Sequence, residues 1–159
     1  MGTEIERKFL VNGPAWKKGA FGLRCFQGYL CVDYETTVRV RIKGDKGYLT
    51  VKGRSTGITR KEYEYEIPVT EAREMLDNIC EKPLIEKQRY TITYKGFVWE
   101  VDEFAGENKG LVVAEIELES EDQVFERPEW VGKEVSEDPR YYNVSLVRNP
   151  WTSWNNHAG

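Results

Sequence analysis

Glu-x-Glu spacing recurs along the chain, beginning at Glu4/Glu6, Glu62/Glu64 and Glu115/Glu117, and between these places fall Arg39-x-Arg41 and Lys87-x-Arg89. Residues two apart on a β-strand share a face and sit about 6.6 Å apart along it. Placed on strands, each pair presents two like charges to one side. Like charges side by side on a sheet destabilise it by roughly 0.2–1 kcal/mol per pair, so several such pairs call for bound counter-charges. Paired carboxylates suit a hard divalent cation such as Mg2+ or Mn2+, which takes oxygen ligands and keeps positions for water and phosphate. Paired Arg and Lys suit a polyanion: Arg39 and Arg41 offer planar forks that match phosphate oxygens, while Lys8, Lys52 and Lys87 act as point charges. A lone Glu-x-Glu is a weak signal. Carboxylate pairs alternating with basic pairs form a stronger one, because a site for metal and polyphosphate needs both signs in one cavity.

The elements that must position these residues read mostly as strands, with β-branched and aromatic residues alternating with polar ones between Gly- or Asp-containing turns. The pattern predicts eight, at about 3–11, 24–32, 36–43, 47–53, 59–68, 86–95, 97–104 and 112–119. Seven carry a charged face opposite an apolar one, as where Arg39, Arg41 and Lys43 oppose Val38, Val40 and Ile42, or Glu100 and Asp102 oppose Trp99 and Val101. An ordinary half-exposed sheet, charged side to water, is the bland reading of any single strand. Eight strands also suffice to close a barrel, and charged faces turned inward would line a tunnel. Residues 42–48 and 94–97 have the glycines of hairpin turns, so neighbours should run antiparallel. Helices are fewer. Thr70 is placed to cap Glu71–Cys80, where Ala72, Met75, Leu76 and Ile79 form a stripe; Ser120–Gln123 fits a capping box; Asp138-Pro139 suits a helix start running through Val144 and Val147. The expected fold is α+β and mainly antiparallel β, an eight-stranded closed tunnel with a few flanking helices, in a single domain over residues 1–150 followed by a tail, Trp151–Gly159.

Composition narrows the function. With 159 residues and 13% aromatics the chain supports one domain with its own core. Its net charge of -4 gives no global attraction for nucleic acid or an anionic membrane, so any anion site must be local. No apolar run approaches the roughly 20 residues of a membrane span, and the charged start has no secretory pattern, so a cytoplasmic address is expected. Cys25, Cys31 and Cys80 lack short metal-ligand spacing and read as reduced thiols. The single histidine, His157, falls where chains usually fray, which argues against Ser-His-Asp and Cys-His catalysis.

These residues together resemble the CYTH superfamily, the triphosphate tunnel metalloenzymes. Glu4-Ile5-Glu6-Arg7-Lys8-Phe9-Leu10 is similar to that family's Glu-x-Glu-x-Lys signature, and Val38–Arg41, Thr50–Gly53, Arg60–Glu64, Glu86–Tyr90, Trp99–Asp102 and Ala114–Leu118 follow in family order. Asp138–Leu146 resembles the closing helix of the small bacterial members. The resemblance implies a triphosphate-binding tunnel in which Glu4, Glu6, Glu115 and Glu117 hold Mg2+ or Mn2+, with Glu62, Glu64 and Asp102 as additional or water-mediated ligands. Lys8, Arg39, Arg41, Lys52, Lys87 and Arg89 would clamp phosphate. Lys43, Arg60, Glu66, Glu100 and Glu119 stand between tunnel rim and solvated surface, and packing is the expectation for Tyr29, Tyr141 and Tyr142. The implied activity is hydrolysis of inorganic tripolyphosphate to diphosphate and phosphate, by in-line attack of water. Nucleoside or thiamine triphosphate hydrolysis, adenylate cyclisation and noncatalytic polyphosphate binding are the alternatives. The implied partner is a small anionic substrate, and the sequence leaves a homodimer open.

Overall fold

A computed structural model describes residues 2–33 and 35–154; His157 and the rest of 155–159 lie outside the described residues. Alternation of inward and outward side chains governs the architecture. The strands are β1 (Thr3–Val11), β2 (Phe21–Val32), β3 (Thr37–Lys43), β4 (Lys46–Thr56), β5 (Thr59–Ile67), β6 (Ile85–Tyr94), β7 (Phe97–Phe104), β8 (Val112–Glu117) and β9 (Val131–Glu134). The first eight lie in the order β5-β4-β3-β2-β6-β7-β8-β1, every neighbour antiparallel, and β1 closes the ring on β5 through Thr3↔Lys61 and Ile5↔Thr59. The expected eight-stranded tunnel is present.

The ninth strand was not foreseen. β9 pairs with β1 at Phe9↔Glu134 and Val11↔Val131, taking over the edge that β5 leaves after Ile5. Arg7, pointing outward, fastens it with a two-pronged hydrogen bond to Glu134 at 2.6 and 2.8 Å. Hairpin chemistry follows the sequence: Lys95 and Gly96 both take positive φ, 47° and 83°, the conformation a two-residue turn between β6 and β7 requires.

Because charge faces inward, the apolar core lies outside the barrel wall, in three clusters. Helix α1 (Val69–Asn78) lays Ala72 and Leu76 on Val40 and Ile42. The chain between β8 and β9 brings Phe125 and Trp130 onto Phe9, Trp99 and Ile116. At the base, helix α2 (Asn143–Arg148) joins Leu146 and Val147 to Ile85, Phe104, Val113 and Tyr141. Each such side chain removed from water contributes about 1.5–3 kcal/mol, so the wall is braced from behind while its inner face stays polar.

Two helix expectations change. α1 starts at Val69 after Pro68, without a side-chain cap from Thr70, and ends at Asn78, leaving Ile79 exposed. Ser120–Gln123 opens no helix: the Gln123 carboxamide accepts from Glu119 N at 2.7 Å and the Ser120 hydroxyl donates to Asp122, closing a turn, while Phe125 is drawn into the core and Pro128 bars helical continuation. Asp138 does cap, but caps the 3-10 turn Pro139–Tyr141 that precedes α2. The first residues of the tail pack on the body, with Trp154 edge-on to Tyr141 at 5.2 Å and Trp151 N donating to Asn108. No helix among the described residues is long and apolar enough to cross a membrane.

Candidate active site

The inward faces enclose a cavity of about 240 Å³, small enough to suit a small ligand, and every residue expected to hold metal or clamp phosphate lines it except Asp102. Lys43, Arg60 and Glu100 line it as well, whereas Glu66 and Glu119 are exposed and lie outside its lining. Tyr29 packs in the base cluster as expected and also touches the lining, Tyr141 lies fully in that cluster, and Tyr142 reaches the lining despite the expectation of packing.

The carboxylates gather on β1, β5 and β8. Burial, with the neighbouring charges of Glu62 and Glu115, pushes Glu4 up to about 7. Burial also drives Glu6 well above the usual carboxylate range, helped by Glu115 and Glu4, and raises Glu117, helped by Glu62 and Glu100. Lys52 Nζ stands between Glu4 and Glu62, 3.2 Å from each, and pairs with both. Among the described residues no three carboxylates converge into a ready-made metal cluster. The donor set nevertheless fits a hard divalent cation: all ligands are oxygen, and the crowded negative charge lacks compensation that a cation would provide.

The basic wall is built on β3 and β4. Arg39 and Arg41 are 8% and 6% exposed, and their Nη2 atoms lie 3.3 and 3.2 Å from one oxygen, Glu64 Oε2, which also accepts from the Thr50 hydroxyl at 2.7 Å. Behind those contacts the Nε of both arginines is buried with no partner. Burial and the nearby guanidinium groups of Arg39 and Arg89 depress the Arg41 pKa. Glu64 therefore sits as the shared anchor of two guanidinium groups rather than with the repelling carboxylates.

A second network backs the wall opposite. Asp102, wholly buried, accepts two hydrogen bonds from Arg89 at 2.8 and 2.9 Å and one from Lys87 at 2.9 Å. Burial alone would raise its carboxyl, but Arg89 and Lys87 hold it far below the usual range. Arg89 also reaches Glu115 Oε1 at 2.8 Å, and Lys8 reaches Glu115 Oε2 at 3.3 Å, which together overcome burial and hold Glu115 at about 2. Burial lowers Lys87 to about 8 even beside Asp102.

Sequence reasoning passed over three residues here. Thr50 stands in the Thr50–Gly53 motif with no role of its own expected, Ser136 follows the unforeseen β9, and Asn143 falls inside the stretch that resembles a closing helix. Asn143 and Ser145 are the polar residues of the stretch Asn143–Val147, and of the two Asn143 lines the cavity.

A CYTH domain model matches residues 2–148. The chain is 60% identical over 154 residues to an inorganic triphosphatase of Acetivibrio thermocellus, covering 97% of this chain and 99% of that protein. It is 42% identical over 150 residues to an inorganic triphosphatase of Nitrosomonas europaea, covering 91% and 97%. Among solved structures, the inorganic triphosphatase NE1496 superposes with a TM-score of 0.63 at 38% identity, covering 92% of this chain and 95% of that one.

Proposed function

The chain belongs to the CYTH family, and from that premise we propose that it hydrolyses inorganic tripolyphosphate to diphosphate and phosphate within the tunnel, with Mg2+ or Mn2+ as cofactor. One observation carries this reading: Arg39 and Arg41, both largely buried and both lining the cavity, converge on a single carboxylate oxygen, Glu64 Oε2. Two guanidinium groups set against one carboxylate leave an excess of fixed positive charge at the cavity, which suits a multiply charged anion with several oxygens. The names borne by both curated relatives agree with it.

In this reading Glu4, Glu6 and Glu117, with Glu62 and Glu115 nearby, would hold the metal. When bound, the metal supplies charge neutralisation and polarisation of the phosphoryl group. Arg39 and Arg41 bind successive phosphates, and Lys8, Lys52 and Lys87 neutralise the chain from their own strands. Phosphoryl transfer asks little covalent chemistry of a protein, so catalysis rests on alignment and fixed charge. Lys8, Arg39, Arg41 and Lys87 are nine-tenths or more buried, so their positive charge acts where screening by water is weak. A carboxylate with a raised pKa beside the phosphate chain, Glu4 or Glu6, can hold the attacking water. Three free cysteines accord with the expected reducing, cytoplasmic setting.

The test strips the protein with EDTA and measures phosphate release from tripolyphosphate before and after adding Mg2+ or Mn2+. Activity should vanish with the chelator and return with metal. Turnover that survives exhaustive chelation, or that no metal restores, overturns the reading.

A further inference from the structure

An ammonium group has three protons to donate. On Lys87 one goes to Asp102 Oδ2 at 2.9 Å and another to Asn143 Oδ1 at 3.1 Å. On Lys8 one goes to Glu115 Oε2 at 3.3 Å and another to the Tyr141 carbonyl at 3.1 Å. The pattern repeats: one anchor is a carboxylate of the barrel wall, and the other comes from the stretch Tyr141–Asn143 at the head of α2. Each lysine lines the cavity with its ammonium group held from two sides.

Resting on the triphosphatase reading above, we propose that Tyr141–Asn143 is the element that aims the two clamp lysines at the phosphate chain, and that Asn143 is the positioning residue for Lys87. Asn143 is the first residue of α2, yet its side chain makes no helix cap; it points to Lys87 instead. Asparagine is also a poorer helix former than alanine, so helix stability gives no reason for it at this place. Lys87 is only 2% exposed. Without the Asn143 carbonyl, a buried charged donor loses its acceptor and the ammonium swings toward Asp102, away from the line of the substrate. The cost of such an unmade charge-assisted bond corresponds to roughly ten- to a hundredfold in rate. Lys8 is held by a backbone carbonyl, which keeps the same geometry whatever side chain stands at position 141.

The test is Asn143→Ala in the full chain, assayed with tripolyphosphate at saturating metal. The expected result is a fall in kcat of at least about tenfold, KM within about threefold, and a melting temperature within about 3 °C of the parent, because alanine preserves α2. A double-mutant cycle with Lys87→Met should then be strongly non-additive: once Lys87 is gone, Asn143→Ala should cost less than about twofold. If Lys87→Met does not fold, the cycle is run with Lys87→Arg, which keeps a cation beside Asp102. Parental kcat in Asn143→Ala, losses that multiply in the cycle, or a loss explained by a lowered melting temperature overturns the proposal. An inactive parent protein overturns the triphosphatase reading itself, so the two failures are distinct.

Discussion

The Nη2 atoms of Arg39 and Arg41 meet on a single oxygen of Glu64, at 3.3 and 3.2 Å. One carboxylate cannot satisfy two guanidinium groups, and the buried Nε atoms record the shortfall. Two fixed guanidinium groups against one carboxylate leave an excess of positive charge held in place for a polyanion.

Replacing Arg39 or Arg41 with Ala should therefore weaken transition-state stabilisation by about 2–4 kcal/mol, the scale of losing one preorganised donor. In kcat/KM that is roughly thirty- to a thousandfold. Lysine at either position should rescue poorly, because a point charge lacks the fork. Alanine variants within about threefold of the parent would show that these residues do not touch substrate.

The metal-free protein should become less stable as pH rises from about 4.5 to 7. Glu4 keeps its proton in the folded state up to about 7, but in the unfolded chain releases it near the ordinary value of 4.5. Between those values the folded state binds more protons, so the stability present at lower pH is lost as pH climbs through 7. Asp102 and Glu115 are shifted the opposite way, and their contribution fades only in acid, below this window. Glu4→Gln or Glu6→Gln should raise the metal-free melting temperature at pH 8 by about 2–4 °C per kcal/mol of repulsion removed, and should abolish most turnover. Added Mg2+ should stabilise the parent protein more than either variant. A metal-free melting curve that rises from pH 5 to 8 would contradict the carboxylate crowding.

The tunnel was legible because like charges at spacing two are costly on a sheet face, so their repetition on β1, β3, β5, β6 and β8 pointed inward. What escaped the sequence had no such periodicity. β9 is four residues, Val131-Gly132-Lys133-Glu134, held by β1 and Arg7 rather than by any propensity of its own. The Ser120 box fits a helix locally but is overruled by the burial of Phe125 in the core. Roles within the charged set were also hidden, since strand parity puts Glu64 and Asp102 on the inner face but cannot say which charge each one meets. Glu64 meets two arginines, and Asp102 meets Arg89 and Lys87 behind the cavity surface.

Asp102 should accordingly behave as a structural anion and not as a metal ligand. Asp102→Asn removes the negative charge between two buried cations, and breaking a buried pair costs about 3–5 kcal/mol. The melting temperature should fall by roughly 6–20 °C, while Mn2+ affinity by calorimetry stays within about threefold of the parent. Glu6→Gln should show the converse, weakened metal binding with an intact fold. A normally folded Asp102→Asn protein that has lost metal affinity would return Asp102 to the metal site.

Substrate preference follows from what lines the cavity. Its charged residues can contact phosphates along a chain, whereas among the described residues only Tyr29 and Tyr142 bring aromatic side chains to its lining. Tyr142 stands beside Asn143, at the base where the clamp lysines are anchored, and Tyr29 belongs to the base cluster. A nucleobase would have to reach past the phosphate contacts to stack there. The nucleoside of ATP must instead stay toward the mouth, where it replaces one end phosphate and forgoes clamp contacts without gaining a base site. Differential binding in the transition state should then favour tripolyphosphate over ATP by at least tenfold in kcat/KM, about 1.4 kcal/mol. Matched kinetic curves at saturating metal, with nucleotide products separated, check this. ATP as the better substrate, or cyclic AMP as the main product, would displace the inorganic assignment while leaving the tunnel and its carboxylates in place.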